Sequence, residues 1–205
     1  LILPPEWWNM GSNSPIAIAI GMAEGTRTLD GSKTPVYYWH SDPGNGASNF
    51  GTFSYQHLPP HQTTEVDRQS SPTAKREVSQ EAGLPELSDR LQLQRLQRFS
   101  QQLQQQAQQR GIALNLLEVL NGLDLANQSE AAALSPLGYI DRLVQMRSLL
   151  PGQGEEQIQE ARVWAYWSPD RHSWDAPGLG NHYESIRRDQ SRRRILYALT
   201  CTFGR

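Results

Sequence analysis

The sequence predicts an α+β fold, mainly α, in a single domain, and three observations carry that prediction. The chain has 205 residues, enough to close one sizeable core but too few for two full ones. Its second half recurs to leucine at helical spacing between Gly and Pro breaks. A short Gly-punctuated stretch rich in Thr, Tyr and Val sits between two helical regions and reads as a small β-lobe.

Residues 1–13 carry Pro4, Pro5, Trp7 and Trp8 without periodicity and read as an extended arm that packs back on the body to cover its indoles. Ser14 and Pro15 form a helix start, a side-chain cap followed by a residue with preset φ. Ile16 to Ala23 then continue as a helix that is apolar nearly all round and therefore must be buried. Helix and β-lobe together span 14–56. Residues 57–83 turn to Pro, Gln, Ser and Thr with almost no large apolar side chain, so they read as a polar insertion unable to offset its ordering entropy by burial.

Residues 84–205 form the helical lobe. Leu87, Leu91, Leu93, Leu96, Phe99 and Leu103 mark a stripe through a Gln-rich helix that Gly111 ends. Further helices are expected near Leu114–Ala126, Pro136–Leu150, Glu155–Trp167 and Tyr183–Thr200. Trp164, Trp167 and Trp174 read as core aromatics, packed on one another or on the first helix.

Composition excludes several functions. With 19 Lys and Arg against 21 Asp and Glu, the net charge of -2 offers no global attraction to nucleic acid or anionic membrane. No apolar run is long enough to span a bilayer. The one cysteine, Cys201, permits neither an internal disulfide nor a paired-thiol zinc site. The five His residues lack metal-ligand spacing. The oxygen-rich turn of Asp42, Asn45, Ser48 and Asn49 lacks the order of a calcium loop and is explained by turn chemistry. No metal and no cofactor are expected.

One carboxylate stands out. Glu24 ends the apolar helix in Ala23-Glu24-Gly25, where the chain leaves the core. Apolar surroundings penalise the charged form of a carboxyl, which suits a general acid for glycoside cleavage. The structural alternative is a helix-end residue paired with Arg27 or Arg162. Tyr37, Tyr38, Trp39, Phe53 and Tyr55 concentrate aromatic surface in the lobe, and sugar rings stack on such faces. Strand alternation would put Tyr37 and Trp39 on one face and Tyr38 and His40 on the other.

The series Ala23-Glu24-Gly25-Thr26-Arg27, then Asp30-Gly31, then aromatics, then Gly51-Thr52-Phe53-Ser54-Tyr55-Gln56 resembles the lysozyme superfamily, and its Glu-Gly-x-Arg piece resembles phage-type, muramidase-like lysozymes in particular. The likeness covers Ala23–Gln56 only. It implies a lysozyme-like helical bundle with a β-lobe after the first helix, and hydrolysis of peptidoglycan or a related β-linked glycan. Glu24 would be the acid, and Asp30 or Asp42 the second carboxylate. Arg27, Thr34, Tyr38, Tyr55, Gln56 and Asn127 would contact substrate.

Such a substrate places the protein in the periplasm or outside the cell, and a chain starting at Leu1 rather than Met fits a processed N-terminus. The alternative is a noncatalytic lysozyme-like module that binds glycan or serves in an assembly. A protein partner would then meet the Trp7 and Trp8 arm or the basic helix of Arg187, Arg188, Arg192, Arg193 and Arg194. A nucleic-acid partner is not expected, because no aromatics interleave with those arginines.

Overall fold

A computed structural model describes residues 3–195. Cys201 and the expected helix beyond Ile195 lie outside the described residues. The described chain is mainly helical, with ten α-helices and two small antiparallel sheets. It forms two compact units, Leu3–Arg95, with which Ile195 groups, and Leu96–Arg194. The 26-residue helix α5 (Leu84–Gln109) supplies residues to both.

In the first unit the N-terminal segment is not extended. It forms two 3₁₀ turns, Pro5–Asn9 and Gly11–Asn13, which leave Trp7 and Trp8 half-buried. Leu3 is buried, and the buried Ser12 hydroxyl lies 2.8 Å from the Tyr37 hydroxyl. Helix α1 (Pro15–Glu24) begins as the sequence predicts, with Ser14 Oγ accepting the Ile16 amide at 3.2 Å and Pro15 at the first turn. Ile16, Ala17, Ala19 and Ile20 are buried. Each of the two isoleucines contributes about 1.5–3 kcal/mol by leaving water. Gly25, left-handed at φ +75°, ends the helix.

The lobe after α1 contains less strand than expected. Thr34-Pro35 starts a single helical turn, α2 (Pro35–Tyr38), where strand alternation was expected through Tyr37 to His40. Tyr37 and Trp39 are still the buried pair, Tyr37 within the helical turn and Trp39 as the extended residue that follows it. Strands β1 (His40–Ser41) and β2 (Ser48–Asn49) pair antiparallel over two residues. Single bridges join Arg27 to Lys33 and Phe50 to Tyr55.

The polar insertion is ordered as helices α3 (Pro60–Asp67) and α4 (Pro72–Glu81). Leu58 and Val66 are buried with Trp39, Phe50 and Leu84, and Val78 packs against them. Ser71 caps α4 through the Ala74 amide, and the buried Ser79 hydroxyl donates to the Tyr38 carbonyl at 2.6 Å.

In the second unit, α6 (Leu116–Gln128) opens with a complete capping box between Asn115 and Glu118. It packs on the short α7 (Glu130–Leu134) and on α9 (Gly154–Trp164). Helix α9 also carries α8 (Tyr139–Leu149) and α10 (Tyr183–Arg193). Gly122 lets the Tyr139 ring approach, since a Cβ there would lie 2.9 Å from it. A hairpin of β3 (Trp167–Ser168) and β4 (Ser173–Trp174), which periodicity did not predict, sets Trp167 opposite Trp174. Both rings pack on Trp164 at centroid distances of 6.1 and 5.1 Å, so the three indoles pack on one another as expected, but each is only half-buried and lies outside the core. Arg162, fully buried, donates to Asp124 at 2.5 Å, to Asn121 Oδ1 at 2.9 Å and to Gln190 at 2.8 Å.

Candidate active site

Glu24 is the last helical residue of α1 and is half-buried. The chain turns back on itself just after it, with the Gly25, Thr26 and Arg27 amides all reaching the Gly21 carbonyl. That fold-back needs glycine at 21, because a Cβ there would lie 2.4 Å from Arg27 Cγ and 2.7 Å from Thr52 Cγ2.

Arg27 is buried at 7% exposure, which decides its role. Its guanidinium donates to the Thr52 hydroxyl at 3.1 Å, the Gly31 carbonyl at 3.1 Å and the Ser12 carbonyl at 2.5 Å. It also lies 5.0 Å from the Tyr37 ring centroid. Sequence reading placed Arg27 against substrate; here it is enclosed and braces the loop that contains Thr52. Arg162 is likewise engaged with Asp124, Asn121 and Gln190 in the second unit.

The braced loop is Gly51–Gln56. Gly51 stands at φ +75°, and a Cβ would meet Asp89 Oδ1 at 2.4 Å and the Pro85 carbonyl at 2.8 Å. Asp89 accepts both the Thr52 amide and the Thr52 hydroxyl at 2.7 Å. Burial pushes the Asp89 carboxyl up from its ordinary value, against the hydrogen bonds from Ser12 and Thr52 and the charge of Arg27. The Thr52 carbonyl in turn accepts the Thr26 hydroxyl at 2.6 Å. Paired amides and carbonyls of Phe50 and Tyr55 close the loop.

Held in this way, the loop offers two polar groups. Ser54, at the unusual φ of +53°, donates its hydroxyl to Glu24 Oε2 at 3.2 Å. Gln56 Oε1 accepts the Asn45 carboxamide at 3.0 Å. Asn45 belongs to the turn of Asp42, whose Oδ1 accepts the Gly44 amide at 2.7 Å and the Asn45 amide at 3.1 Å. Those two amides, with help from Asn49 and Gln56, hold the Asp42 carboxyl below the usual carboxylate range. The loop therefore bonds to Glu24 through Ser54 and to the Asp42 turn through Gln56.

Asp30 sits apart from this loop at the exposed tip of the hairpin joined by Arg27 and Lys33. It accepts the Thr28 hydroxyl and the Ser32 amide, and these bonds lower its carboxyl from 3.8 to about 2. The Thr34 hydroxyl donates to the Gly25 carbonyl at 3.0 Å, stitching the hairpin base to the end of α1. Tyr38 is half-buried and meets Tyr37 edge-on at 5.1 Å. Tyr55 packs on the apolar cluster and meets His57 edge-on at 5.4 Å. Asn127 lies on α6 in the second unit. Its neighbour Gln128 is occupied by Tyr166, Asp189 and Gln190.

Sequence reading did not single out Ser54 or Asp89, and it assigned Asn45 to turn chemistry alone. Ser54 stood inside the quoted Gly51–Gln56 motif, and its position between two aromatics was the available signal. Asp89 gave none, since it reads as one more polar residue on α5. Among the described residues no three His, Cys, Asp or Glu side chains are grouped to hold a metal ion, and no helix is long and apolar enough to cross a membrane. The chain matches no protein-family model, no curated protein and no solved structure.

Proposed function

We propose that this protein is a lysozyme-like glycoside hydrolase acting on peptidoglycan or a related β-linked glycan. The observation that carries the reading is the braced loop, which reaches Glu24 through Ser54 and the Asp42 turn through Gln56. Glycoside cleavage uses two carboxyl groups in different roles, a proton donor to the leaving oxygen and an ionised partner for the oxocarbenium ion or its attacking water.

Glu24 takes the donor role, oriented by the Ser54 hydroxyl at the end of a buried helix. Asp42 takes the ionised role, because two backbone amides favour its charged form. Asp30 is ionised as well, but its bonds run to its own turn rather than to the loop. Thr52, Arg27 and Asp89 are positioning residues that act through the loop.

The test compares native protein with Glu24→Gln, which keeps shape and hydrogen bonding but cannot donate the proton. Reducing ends released from purified peptidoglycan, and the accompanying loss of turbidity, should fall at least about 100-fold in the variant. Equal release by both forms excludes Glu24 as the acid. Co-sedimentation with the polymer without release by either form makes the protein a glycan-binding module.

A further inference from the structure

Beside Gln56 the first unit contains a pocket of about 520 Å³, within the range of small-ligand sites. Its apolar surface comes from Trp39, Phe50 and Leu58, and its hairpin wall from Ser41, Ala47 and Ser48. The facing wall is the helical pair α3–α4, which contributes Thr63, Asp67 and Lys75.

Polar groups around the pocket are linked. Trp39 Nε1 donates to Ser48 Oγ at 2.8 Å, and Ser48 donates to Asp67 Oδ1 at 3.0 Å. Thr63 donates to Asp67 Oδ2 at 2.9 Å. Lys75 Nζ rests 5.0 Å from the Trp39 ring centroid, a cation–π contact that fixes the side chain at the rim.

The composition of this lining points to a class of ligand. The Ser48 and Thr63 hydroxyls, whose protons go to Asp67, keep lone pairs that accept, while the Gln56 amide nitrogen and Lys75 donate, a mixture that matches the alternating donors and acceptors of a sugar ring. Trp39, Phe50 and Leu58 match its C–H faces. One lysine balanced by one aspartate gives no net charge to recruit phosphate or another polyanion. Gln56 belongs both to this lining and to the proposed active site.

We propose that the pocket is a second sugar-binding position, taking an uncharged pyranose unit of the glycan whose neighbouring linkage is cleaved at Glu24. This rests on the glycosidase reading for its second half, whereas the pocket's affinity for a sugar is testable without turnover. The α3–α4 pair is then a binding wall and not a spacer.

The experiment uses full-length Glu24→Gln protein and soluble β-1,4-linked N-acetylglucosamine oligomers, followed by NMR at the Trp39 indole N–H, which Trp39→Phe identifies. Two variants fill the pocket from opposite walls, Ala47→Phe and Thr63→Phe, and their amide spectra establish that each folds. Saturable movement of the Trp39 signal, with affinity at least about tenfold weaker in both filled variants, is the expected result; tenfold corresponds to about 1.4 kcal/mol.

An unmoved Trp39 signal overturns the pocket assignment, as does unchanged affinity in both filled variants. If native protein hydrolyses peptidoglycan and the filled variants in the native Glu24 background do so with unaltered KM, the pocket inference fails while the hydrolase reading stands. If native protein hydrolyses nothing but oligomers still move Trp39 and the filled variants lose them, the pocket stands and the hydrolase reading fails.

Discussion

Each unit contains a buried arginine and a buried aspartate, and the two pairs are used differently. In the second unit Arg162 and Asp124, both fully buried, meet directly at 2.5 Å, and Arg193 adds a second contact to Asp124 at 2.9 Å. Their remaining partners, Asn121 and Gln190, lie on helices, so the charges tie α6, α9 and α10 together. In the first unit Arg27 and Asp89 both bond to Thr52. Their burial there shapes an irregular loop rather than joining helices. Buried charge is costly unless fully partnered, and only the first unit directs that cost toward a loop with outward-facing polar groups.

Breaking the second pair gives the largest expected effect. Asp124→Ala leaves Arg162 and Arg193 without their carboxylate and should lower unfolding free energy by about 3–5 kcal/mol. Urea denaturation measures it; a loss below about 1 kcal/mol would mean that the two arginines find other partners.

Disturbing the first pair should cost less stability and more function. Gly51→Ala forces a Cβ against Asp89 and the Pro85 carbonyl at a left-handed φ. A loss of about 2 kcal/mol is expected, with glycan hydrolysis reduced beyond what the unfolded fraction explains. Full activity at reduced stability would separate the loop from the site.

Asp30 provides the smallest effect and sharpens the contrast between the two candidate second carboxylates. Its folded value is lowered from 3.8 to about 2 by Thr28 and Ser32. Its contribution is therefore complete above 3.8 and is lost as pH falls toward 2. A carboxyl ¹³C titration should show a midpoint near the lower value, and Thr28→Val should move it upward. A midpoint at the ordinary aspartate value in the native protein would mean that the turn does not hold the carboxylate.

What the sequence made legible follows from the range of the interactions involved. Ser14 and Pro15 start α1 and Gly25 ends it through bonds spanning a few residues, so the element could be read directly. The same cap-and-proline logic at Thr34-Pro35 starts α2, where aromatic and β-branched content pointed instead to strand. Helices α3 and α4 escaped notice because each is short and buries so few side chains, Val66 in one and Ser79 in the other. Their apolar partners Trp39 and Phe50 lie well upstream in the chain. Motif order singled out Glu24 and Gln56, and the structure shows one bonded to the Gly51–Gln56 loop and the other part of it. Asp89 could not, since its role depends on meeting Thr52, 37 residues earlier. Arg27 was expected against substrate because its sequence neighbours do not reveal that Ser12 and Thr52 enclose it.

The central claim is that loop Gly51–Gln56 joins Glu24 and Asp42 in one site. Its most direct test is peptidoglycan hydrolysis by Asp42→Asn and Asp30→Asn, measured side by side with Glu24→Gln as the inactive reference. The expected result is that Asp42→Asn falls toward the Glu24→Gln level while Asp30→Asn retains most of the native rate. Inactivity of Asp30→Asn together with near-native turnover by Asp42→Asn would contradict it.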